Sequence, residues 1–238
     1  MSGLFDFLAD LPPYDDNATT IYRLNQRHKL IIAPFRPQIE GARVLDIAAH
    51  DGRWSYALAA AGAAEVVGVE ARPELVARFG AFPDTEFKPR VRLTCGDLFT
   101  DLEARARAGE TFDVVALYGI FYHVMDHFRL LSLIRALQPG LVIIDSEFIV
   151  IDNAMIQVLK EEVANPLNAV TEVEGRSHTV VGVPSRKATE FMAEALNFDC
   201  TWIDHDLILG EDTRGMHDYY REGRKVRHVC ALSPAGRV

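Results

Sequence analysis

Short apolar runs rich in β-branched residues recur along the first part of the chain, and helical stretches separate them. This alternation is typical of a mostly parallel sheet with helices on both faces, because two parallel neighbours need a crossover connection between them. The pattern predicts five strands in sequence order, at residues 43–47, 65–69, 91–95, 112–117 and 141–145.

The alternation stops after Asp145. Residues 146–184 carry a helix-like pattern around 153–163 and then a polar segment, and we expect them to form an insertion on the substrate side of the sheet. Ser185 predicts the start of the last long helix, because serine before helically spaced apolar residues commonly caps the first backbone N–H groups.

Two further runs, at 200–204 and 226–232, are expected to pair as an antiparallel edge, with a long polar loop at 210–225 between them. Together with the earlier strands they predict an α/β fold: a seven-stranded, mostly parallel sheet with helices on both faces and an antiparallel last strand. One domain is expected, with four segments: an N-terminal lid or helix at 1–40, a core at 41–145, the insertion at 146–184, and the last helix and closing strands at 185–238.

Composition narrows the class of protein. The chain has 34 Asp and Glu against 25 Lys and Arg, a formal net charge of −9, and 49% of its 238 residues are hydrophobic. These values suit one globular domain with a sizeable core. The acidic balance disfavours nucleic acid as a partner, although a local basic stripe on an acidic body remains open.

Cysteine usage and the apolar segments bear on location. The three cysteines are far apart and lack metal-ligand spacing, so a reducing, cytoplasmic compartment is expected. The start has no basic segment, and the apolar stretch at 140–144 ends at Asp145, so neither secretion nor a membrane anchor is expected.

Acidic residues stand at the ends of the first three predicted strands, where ligands bind in open α/β sheets. The loop after the first strand has only Gly52, which disfavours a dinucleotide pyrophosphate. Asp46 can accept hydrogen bonds from an ammonium group, and Glu70 from both hydroxyls of a ribose. Asp97 can accept from an adenine amino group while Leu98 packs on the ring. The three acids suit a ligand with ammonium, ribose and adenine, although a single such acid is commonly a helix cap.

Four segments resemble the motifs of class I S-adenosylmethionine-dependent methyltransferases. They are the first loop at 45–52 (LDIAAHDG), the acid Glu70, the adenine motif at 96–98 (GDL) and the fourth strand at 112–119 (FDVVALYG). The resemblance implies a Rossmann-like fold and S-adenosyl-L-methionine as cofactor.

The same resemblance implies that Ala48, His50, Gly52 and Tyr118 contact the cofactor with the three acids and Leu98. Ala48 and His50 stand where the family usually has glycine. Alanine fits this loop where φ is negative, whereas His50 needs an unusual backbone or a wider loop.

Residues 118–127 (YGIFYHVMDH) and 183–187 (VPSRK) resemble a narrower subgroup. It contains the enzyme that completes the 5-oxyacetyl group on the tRNA wobble uridine, and small-molecule methyltransferases. That tRNA enzyme uses a carboxylated cofactor and has a basic face, whereas this chain is short and acidic, so its substrate is not transferred to this chain.

The loop after the fourth strand supplies the candidate catalytic residues Tyr118, Tyr122 and His123. Aromatic faces favour a sulfonium cation, and an imidazole titrates near neutral pH and can serve as a base. A structural histidine that caps the following helix is the alternative. His123 and His127 have the i, i+4 spacing of metal ligands, but no third ligand is identifiable, and no metal is predicted.

Basic residues of the predicted N-terminal helix at 21–32 favour an anionic substrate; they are Arg23, Arg27, His28 and Lys29. Arg176 and His178 in the insertion are further candidates for substrate contacts.

The leading hypothesis is methyl transfer to an O or N atom of a small molecule. A tRNA wobble-uridine methyl or carboxymethyl transferase is one alternative, and a non-catalytic nucleotide-binding protein on the same fold is the other.

Overall fold

A seven-stranded sheet forms the centre of the protein, whose computed structural model describes residues 3–171 and 173–236. Its strands are β1 (Arg43–Ile47), β2 (Glu65–Glu70), β3 (Val91–Cys95), β4 (Val114–Tyr118), β5 (Leu141–Ile149), β8 (Phe198–Trp202) and β9 (Lys225–Pro234). The spatial order is β3-β2-β1-β4-β5-β9-β8, and β9 runs antiparallel to both of its neighbours. The predicted fold class is confirmed.

Helices cover both faces of this sheet. They are α1 (Ala18–Ile31), α2 (Arg36–Ile39), α3 (Arg53–Ala60), α4 (Pro73–Arg78), α5 (Leu98–Arg107), α6 (His127–Ala136), α7 (Arg186–Ala195), α8 (His205–Leu209) and α9 (His217–Tyr220). Successive strand residues point to opposite faces. Val44 therefore packs in the core beneath α1 and α3, and Leu45 in the core beneath α5 and α6.

The strand order reverses at β1, which pairs with β2 on one side and β4 on the other. The loops after β1 and β4 leave toward opposite faces there, and a crevice opens between them at the carboxyl ends of the strands. The predicted site residues come from these loops.

The insertion contains a correction. Residues 153–163 were expected to be helical, and this prediction is wrong: Ile156–Glu162 forms strand β6, which pairs antiparallel with β7 (His178–Pro184). The pairing partner lies some twenty residues away, so helical spacing within 153–163 alone could not reveal it. Helix α7 does begin as predicted with Ser185 as its N-cap, whose hydroxyl accepts a hydrogen bond from the Ala188 N–H.

The strand bounds shift by a few residues at β4, β8 and β9, and two other parts of the chain differ more from expectation. Strand β5 continues past Asp145 to Ile149, because β9 extends the ladder as far as the pair Ile149 and Lys225. The polar segment at 210–225 contains the short helix α9. None of the helices in the described ranges combines the length and the apolar character that a bilayer crossing requires.

Candidate functional site

A cavity of about 940 Å³ lies at the carboxyl ends of the central strands, within the size range of small-molecule sites. Its wall is built from the loops after β1, β2, β3 and β4, from one face of α1, and from residues 166–171 of the loop between β6 and β7. Helix α1 contributes Thr20, Arg23, Leu24 and Arg27, which share a face because of their helical spacing.

Most of the predicted cofactor residues meet on this wall; they are Ala48, His50, Glu70, Asp97, Leu98 and Tyr118. Asp46 and Gly52 are not on it. The candidate catalytic residues Tyr122 and His123 line the same cavity. Of the four basic residues in α1, only Arg23 and Arg27 reach it, and neither Arg176 nor His178 of the insertion does.

Glu70 ends β2 and is only 7% exposed. One carboxylate oxygen accepts the backbone N–H of His50 at 2.9 Å, and the other accepts that of Arg72 at 3.0 Å. Each oxygen keeps a further lone pair, because an ionised carboxylate can accept about four hydrogen bonds. The two backbone bonds hold the carboxylate ready for a pair of hydroxyl donors.

Asp97 has two roles. Its Oδ1 caps α5 by accepting the N–H and the hydroxyl of Thr100, at 2.8 and 2.9 Å. Its Oδ2 makes no hydrogen bond within residues 3–171 and 173–236, and the residue lies on the cavity wall. The helix-cap interpretation and an acceptor role for Asp97 are therefore compatible.

Asp46 lies behind the wall and is fully buried, with Oδ2 accepting the Ser55 hydroxyl at 2.6 Å. Burial raises the pKa of this carboxyl to about 7; the Ser55 bond opposes the shift and the nearby Glu70 carboxylate adds to it. Gly52 has φ +81°, and a Cβ there would lie 2.6 Å from Phe79 and 2.8 Å from Leu93. Internal packing therefore requires this glycine.

The first loop follows a left-handed path without the usual glycines. Ala48 has φ +60° and His50 has φ +55°. Alanine is thus not accommodated by a negative φ, contrary to expectation, and His50 does take the unusual backbone. Left-handed geometry costs a residue with a Cβ roughly 1–2 kcal/mol. The loop keeps this path despite that cost.

His123 forms a hydrogen-bonded pair with Glu161 of β6. Its Nδ1 lies 2.8 Å from a Glu161 carboxylate oxygen, which also accepts the Ala169 N–H at 2.9 Å. The other ring nitrogen, Nε2, is buried and has no hydrogen-bond partner in the described part of the chain. The helix-cap alternative does not hold for His123, because Asp126 caps α6 through the Arg129 N–H.

The hydroxyls of Tyr118, at the end of β4, and of Tyr122, in the loop after it, each have a hydrogen-bond partner. Tyr118 donates to the Ile31 carbonyl at 2.9 Å and so ties the end of α1 to β4; burial raises its pKa well above the ordinary value. Tyr122 accepts from Arg227 at 3.2 Å, and its ring lies 4.0 Å from the His123 ring, centroid to centroid.

His127 has a structural role, since its ring nitrogens lie 3.1 Å from the Met125 and Gly182 carbonyl oxygens. Across residues 3–171 and 173–236, no group of three or more His, Cys, Asp or Glu is arranged to hold a metal ion.

Comparison with known families bears directly on this site. Residues 44–140, which include β1 to β4 and their loops, match the family model described as a methyltransferase domain. This part of the chain is a methyltransferase domain, and its class I motifs indicate the S-adenosylmethionine-dependent type. None of the curated proteins matches its amino-acid sequence.

Solved structures share the fold of this methyltransferase at low sequence identity. The N-terminal domain of EvdMO1, in the presence of SAH and D-fucose, has a TM-score of 0.63 and 17% identity over 88% of this chain and 82% of that one. The DhpI–SAH complex has a TM-score of 0.57 and 18% identity over 97% and 91% of the two chains. An S-adenosylmethionine dependent methyltransferase from Mesorhizobium loti has a TM-score of 0.57 and 16% identity over 92% and 99%.

Sequence reasoning missed a buried network of charges beside the cavity of the methyltransferase. Asp145 accepts from Arg27 and from the Tyr219 hydroxyl at 2.7 Å, and lies 3.3 Å from Arg227. Asp218 accepts from Arg227 at 2.9 Å and from both terminal nitrogens of Arg23. Burial raises the pKa of Asp145, but Arg27 and Arg227 outweigh burial and hold it well below its usual range.

The loop between β6 and β7 is tied to the end of β2 by Arg72. This guanidinium donates to the Pro166 and Asn168 carbonyls at 2.9 Å each, while its own backbone N–H binds Glu70. Neither Arg72 nor Glu161 belongs to a recognisable sequence motif. Their contacts form only when the hairpin of β6 and β7 folds over the cavity.

Proposed function

We propose that this methyltransferase transfers a methyl group to an O or N atom of a small-molecule acceptor, with His123 as the base. One observation carries the proposal: a buried imidazole on the cavity wall holds a carboxylate on Nδ1 and leaves Nε2 without a partner.

The wall chemistry fits S-adenosylmethionine, and we assign its binding to the predicted residues that line the cavity. Glu70 offers paired acceptors for the ribose hydroxyls, Asp97 keeps Oδ2 for the adenine amino group, and Leu98 provides an apolar surface. The left-handed loop at Ala48 and His50 borders the same space. When bound, the cofactor supplies an electrophilic methyl group on a sulfonium.

The chemistry of His123 follows from its partner. An ionised carboxylate can only accept hydrogen bonds, so Nδ1 must carry the proton and Nε2 of the neutral ring presents a lone pair. Burial raises the pKa of Glu161, but the bonds from His123 and Ala169 outweigh burial and lower it, so Glu161 stays ionised near neutral pH. Nε2 takes the proton of an acceptor O–H or N–H, which frees the acceptor's lone pair for attack. Glu161 then stabilises the imidazolium that forms.

The covered cavity favours a small acceptor. Helix α1 and residues 166–171 both stand on the cavity wall, so the acceptor is covered by the protein while it reacts. The net charge of −9 disfavours a polyanionic nucleic acid. The EvdMO1 domain of the same fold was solved in the presence of D-fucose, a small molecule, which supports this choice.

The test is a screen of small alcohols, phenols and amines as acceptors, followed through the release of S-adenosylhomocysteine. With an acceptor found, His123→Gln is expected to lower kcat by roughly 10²- to 10⁴-fold, the contribution of a general base. Titration with S-adenosylhomocysteine should give the same Kd in both proteins.

Two results would overturn the proposal. One is a His123→Gln variant as active as wild type on the acceptor. The other is salt-sensitive binding and methylation of tRNA with no small molecule accepted, which would favour the wobble-uridine alternative.

A further inference from the structure

We propose that the acceptor carries an oxyanion, a carboxylate or a phosphate-type group, and that Arg23, Arg27 and Arg227 bind it. This inference rests on the proposed function, because it assigns the part of the same cavity that selects the acceptor.

The arginine group carries an excess of positive charge. Three guanidiniums, those of Arg23, Arg27 and Arg227, share two carboxylates, those of Asp145 and Asp218. The group therefore carries 3 − 2 = 1 excess positive charge at neutral pH. A partly buried charge without a counter-ion is costly, and an arriving anion relieves that cost.

The three guanidiniums line the cavity, and the two carboxylates lie behind them. All three arginines lie on the cavity wall, whereas neither Asp145 nor Asp218 does. Asp145 is completely buried, and Asp218 is 8% exposed. The carboxylates thus stand behind the guanidiniums, and the surface that a ligand meets is cationic.

Two of the three guanidiniums keep a nitrogen that has no hydrogen-bond partner among the described residues. Arg27 donates from Nε and Nη2 to Asp145, and Arg23 donates from both terminal nitrogens to Asp218 and from one of them to the Gly215 carbonyl. Within the described residues, Nη1 of Arg27 and Nε of Arg23 make no hydrogen bond. Guanidinium donors of this kind match carboxylate and phosphate oxygens, and charge-assisted bonds to them are strong.

Other cations of the wall are already engaged. Arg53 pairs with Asp51, Arg129 with Glu103, and Arg72 donates to backbone carbonyls of the hairpin loop. These other cations are matched by their own partners, whereas three guanidiniums share the two carboxylates Asp145 and Asp218, which makes that group the better site for an anion.

The arginine group also stands next to the proposed base. Arg227 donates to the Tyr122 hydroxyl at 3.2 Å, and the Tyr122 ring packs against the His123 ring. An oxyanion held here places the rest of a small acceptor beside His123. The geometry thus combines selection of an anionic molecule with removal of its proton.

The experiment is calorimetric titration of the protein loaded with S-adenosylhomocysteine, using inorganic phosphate in one arm and acetate in the other. Sodium chloride keeps the ionic strength constant. We expect saturable binding of at least one oxyanion, and the tighter arm identifies the phosphate-type or the carboxylate class. Arg23→Gln should weaken that binding by roughly 10-fold or more, because a charge-assisted bond is lost.

Arg129→Gln is the matched control, since it removes the same charge from the same cavity wall but away from Asp145 and Asp218. Its anion binding should stay within about twofold of wild type. Arg23 is partly exposed, and Arg227 still pairs with Asp218 in the variant, which favours correct folding. Arg23→Lys provides a second variant, which keeps the charge but loses the fork and should bind the anion with intermediate affinity.

The results separate this inference from the proposed function. Absence of saturable binding of both anions, or equal weakening in Arg23→Gln and Arg129→Gln, overturns the oxyanion site and leaves the role of His123 intact. Anion binding lost in Arg23→Gln but retained in a fully active His123→Gln protein upholds the site and overturns the base.

Discussion

Glu161 holds the Nδ1 of His123 at 2.8 Å, although 38 residues separate the two along the chain. His123 comes from the loop after β4, and Glu161 from the hairpin that folds over the cavity. This contact determines which imidazole nitrogen carries the proton, and it couples the placement of the hairpin to the proposed base.

Glu161→Gln tests this coupling. The amide cannot supply a negative counter-ion, so the imidazolium is less stable and the ring is less firmly oriented. Loss of a hydrogen bond to a charged group predicts a fall in kcat of roughly 10- to 150-fold. The acidic limb of the kcat–pH profile should also move to lower pH, which a purely structural role of Glu161 would not cause.

Glu162→Gln is the control for this variant, because the neighbouring side chain is largely exposed on the same strand. Wild-type activity is expected. An unchanged pH profile in Glu161→Gln would argue against its action through His123.

Asp46 predicts a pH-dependent stability. Its pKa in the folded protein is about 7, above the ordinary value of 3.8, so the folded state binds more protons than the unfolded state between these values. The free energy of unfolding therefore falls as pH rises from about 4 to 7, by roughly 4 kcal/mol in total. Asp46→Asn removes this contribution.

Urea unfolding of wild type and Asp46→Asn at pH 5, 6, 7 and 8 checks the prediction. The difference in unfolding free energy between the two proteins should shift in favour of the variant up to about pH 7 and then level off. A difference that is constant across this range would contradict the burial of an uncharged Asp46.

Gly52→Ala is expected to cost stability without a direct effect on cofactor contacts. The new methyl group would lie 2.6 Å from Phe79 and 2.8 Å from Leu93, and the alanine would have to adopt the left-handed backbone of Gly52. Overpacking and backbone strain together predict a loss of roughly 2–4 kcal/mol. Thermal and urea unfolding measure it.

Gly41→Ala is the matched control, because Gly41 has φ +74° and nothing within 4 Å of the added Cβ. This variant should lose only the free energy that a left-handed backbone costs alanine, about 1–2 kcal/mol. Equal losses in the two variants would remove the packing role assigned to Gly52.

Arg72→Ala is expected to loosen the hairpin loop over the cavity. Two charge-assisted bonds to the Pro166 and Asn168 carbonyls disappear, and Glu70 keeps its bond to the backbone N–H of residue 72. Amide hydrogens in residues 163–171 should exchange roughly 10-fold faster or more. The KM for the acceptor should rise, because this loop lines the cavity.

Arg107→Ala is a suitable comparison for hydrogen exchange, since Arg107 is exposed and its side chain bonds, among the described residues, only to the Glu103 carbonyl within α5. In this variant the amide hydrogens of residues 163–171 should exchange at the wild-type rate. Unchanged exchange in Arg72→Ala would show that the loop is held by other contacts.

Several parts of the fold followed from short stretches of sequence. Each of β1 to β5 is an apolar run between helical stretches. The strands β1, β2, β4 and β5 bury side chains on both faces, whereas β3 lies at the edge of the sheet and is only partly buried. Strand β6 was missed because one face of the hairpin stays exposed, as Val158 shows, and because its partner is distant in sequence. The extension of β5 to Ile149 likewise depends on pairing with β9.

The site residues likewise divide into those that local sequence located and those that only tertiary packing brought together. Glu70 and Asp97 were predictable because parallel strands end at one edge of the sheet, so acids after β2 and β3 must be neighbours there. Asp46 lies within β1, one residue before its end, and its side chain turns to Ser55 and away from the cavity wall. The strand-end rule locates a residue but does not determine which way its side chain points.

Local patterns were thus enough to predict the order of β1 to β5, the methyltransferase domain and the edge of the sheet where Glu70 and Asp97 meet, because each depends on neighbours in the chain and on general topology. Which polar groups face one another depended on the folded chain. Glu161 reaches His123 only through the hairpin, and Arg227 reaches Asp145 only because β9 pairs with β5. Hydrogen bonds act over about 3 Å, and only tertiary packing brings such distant residues within that range.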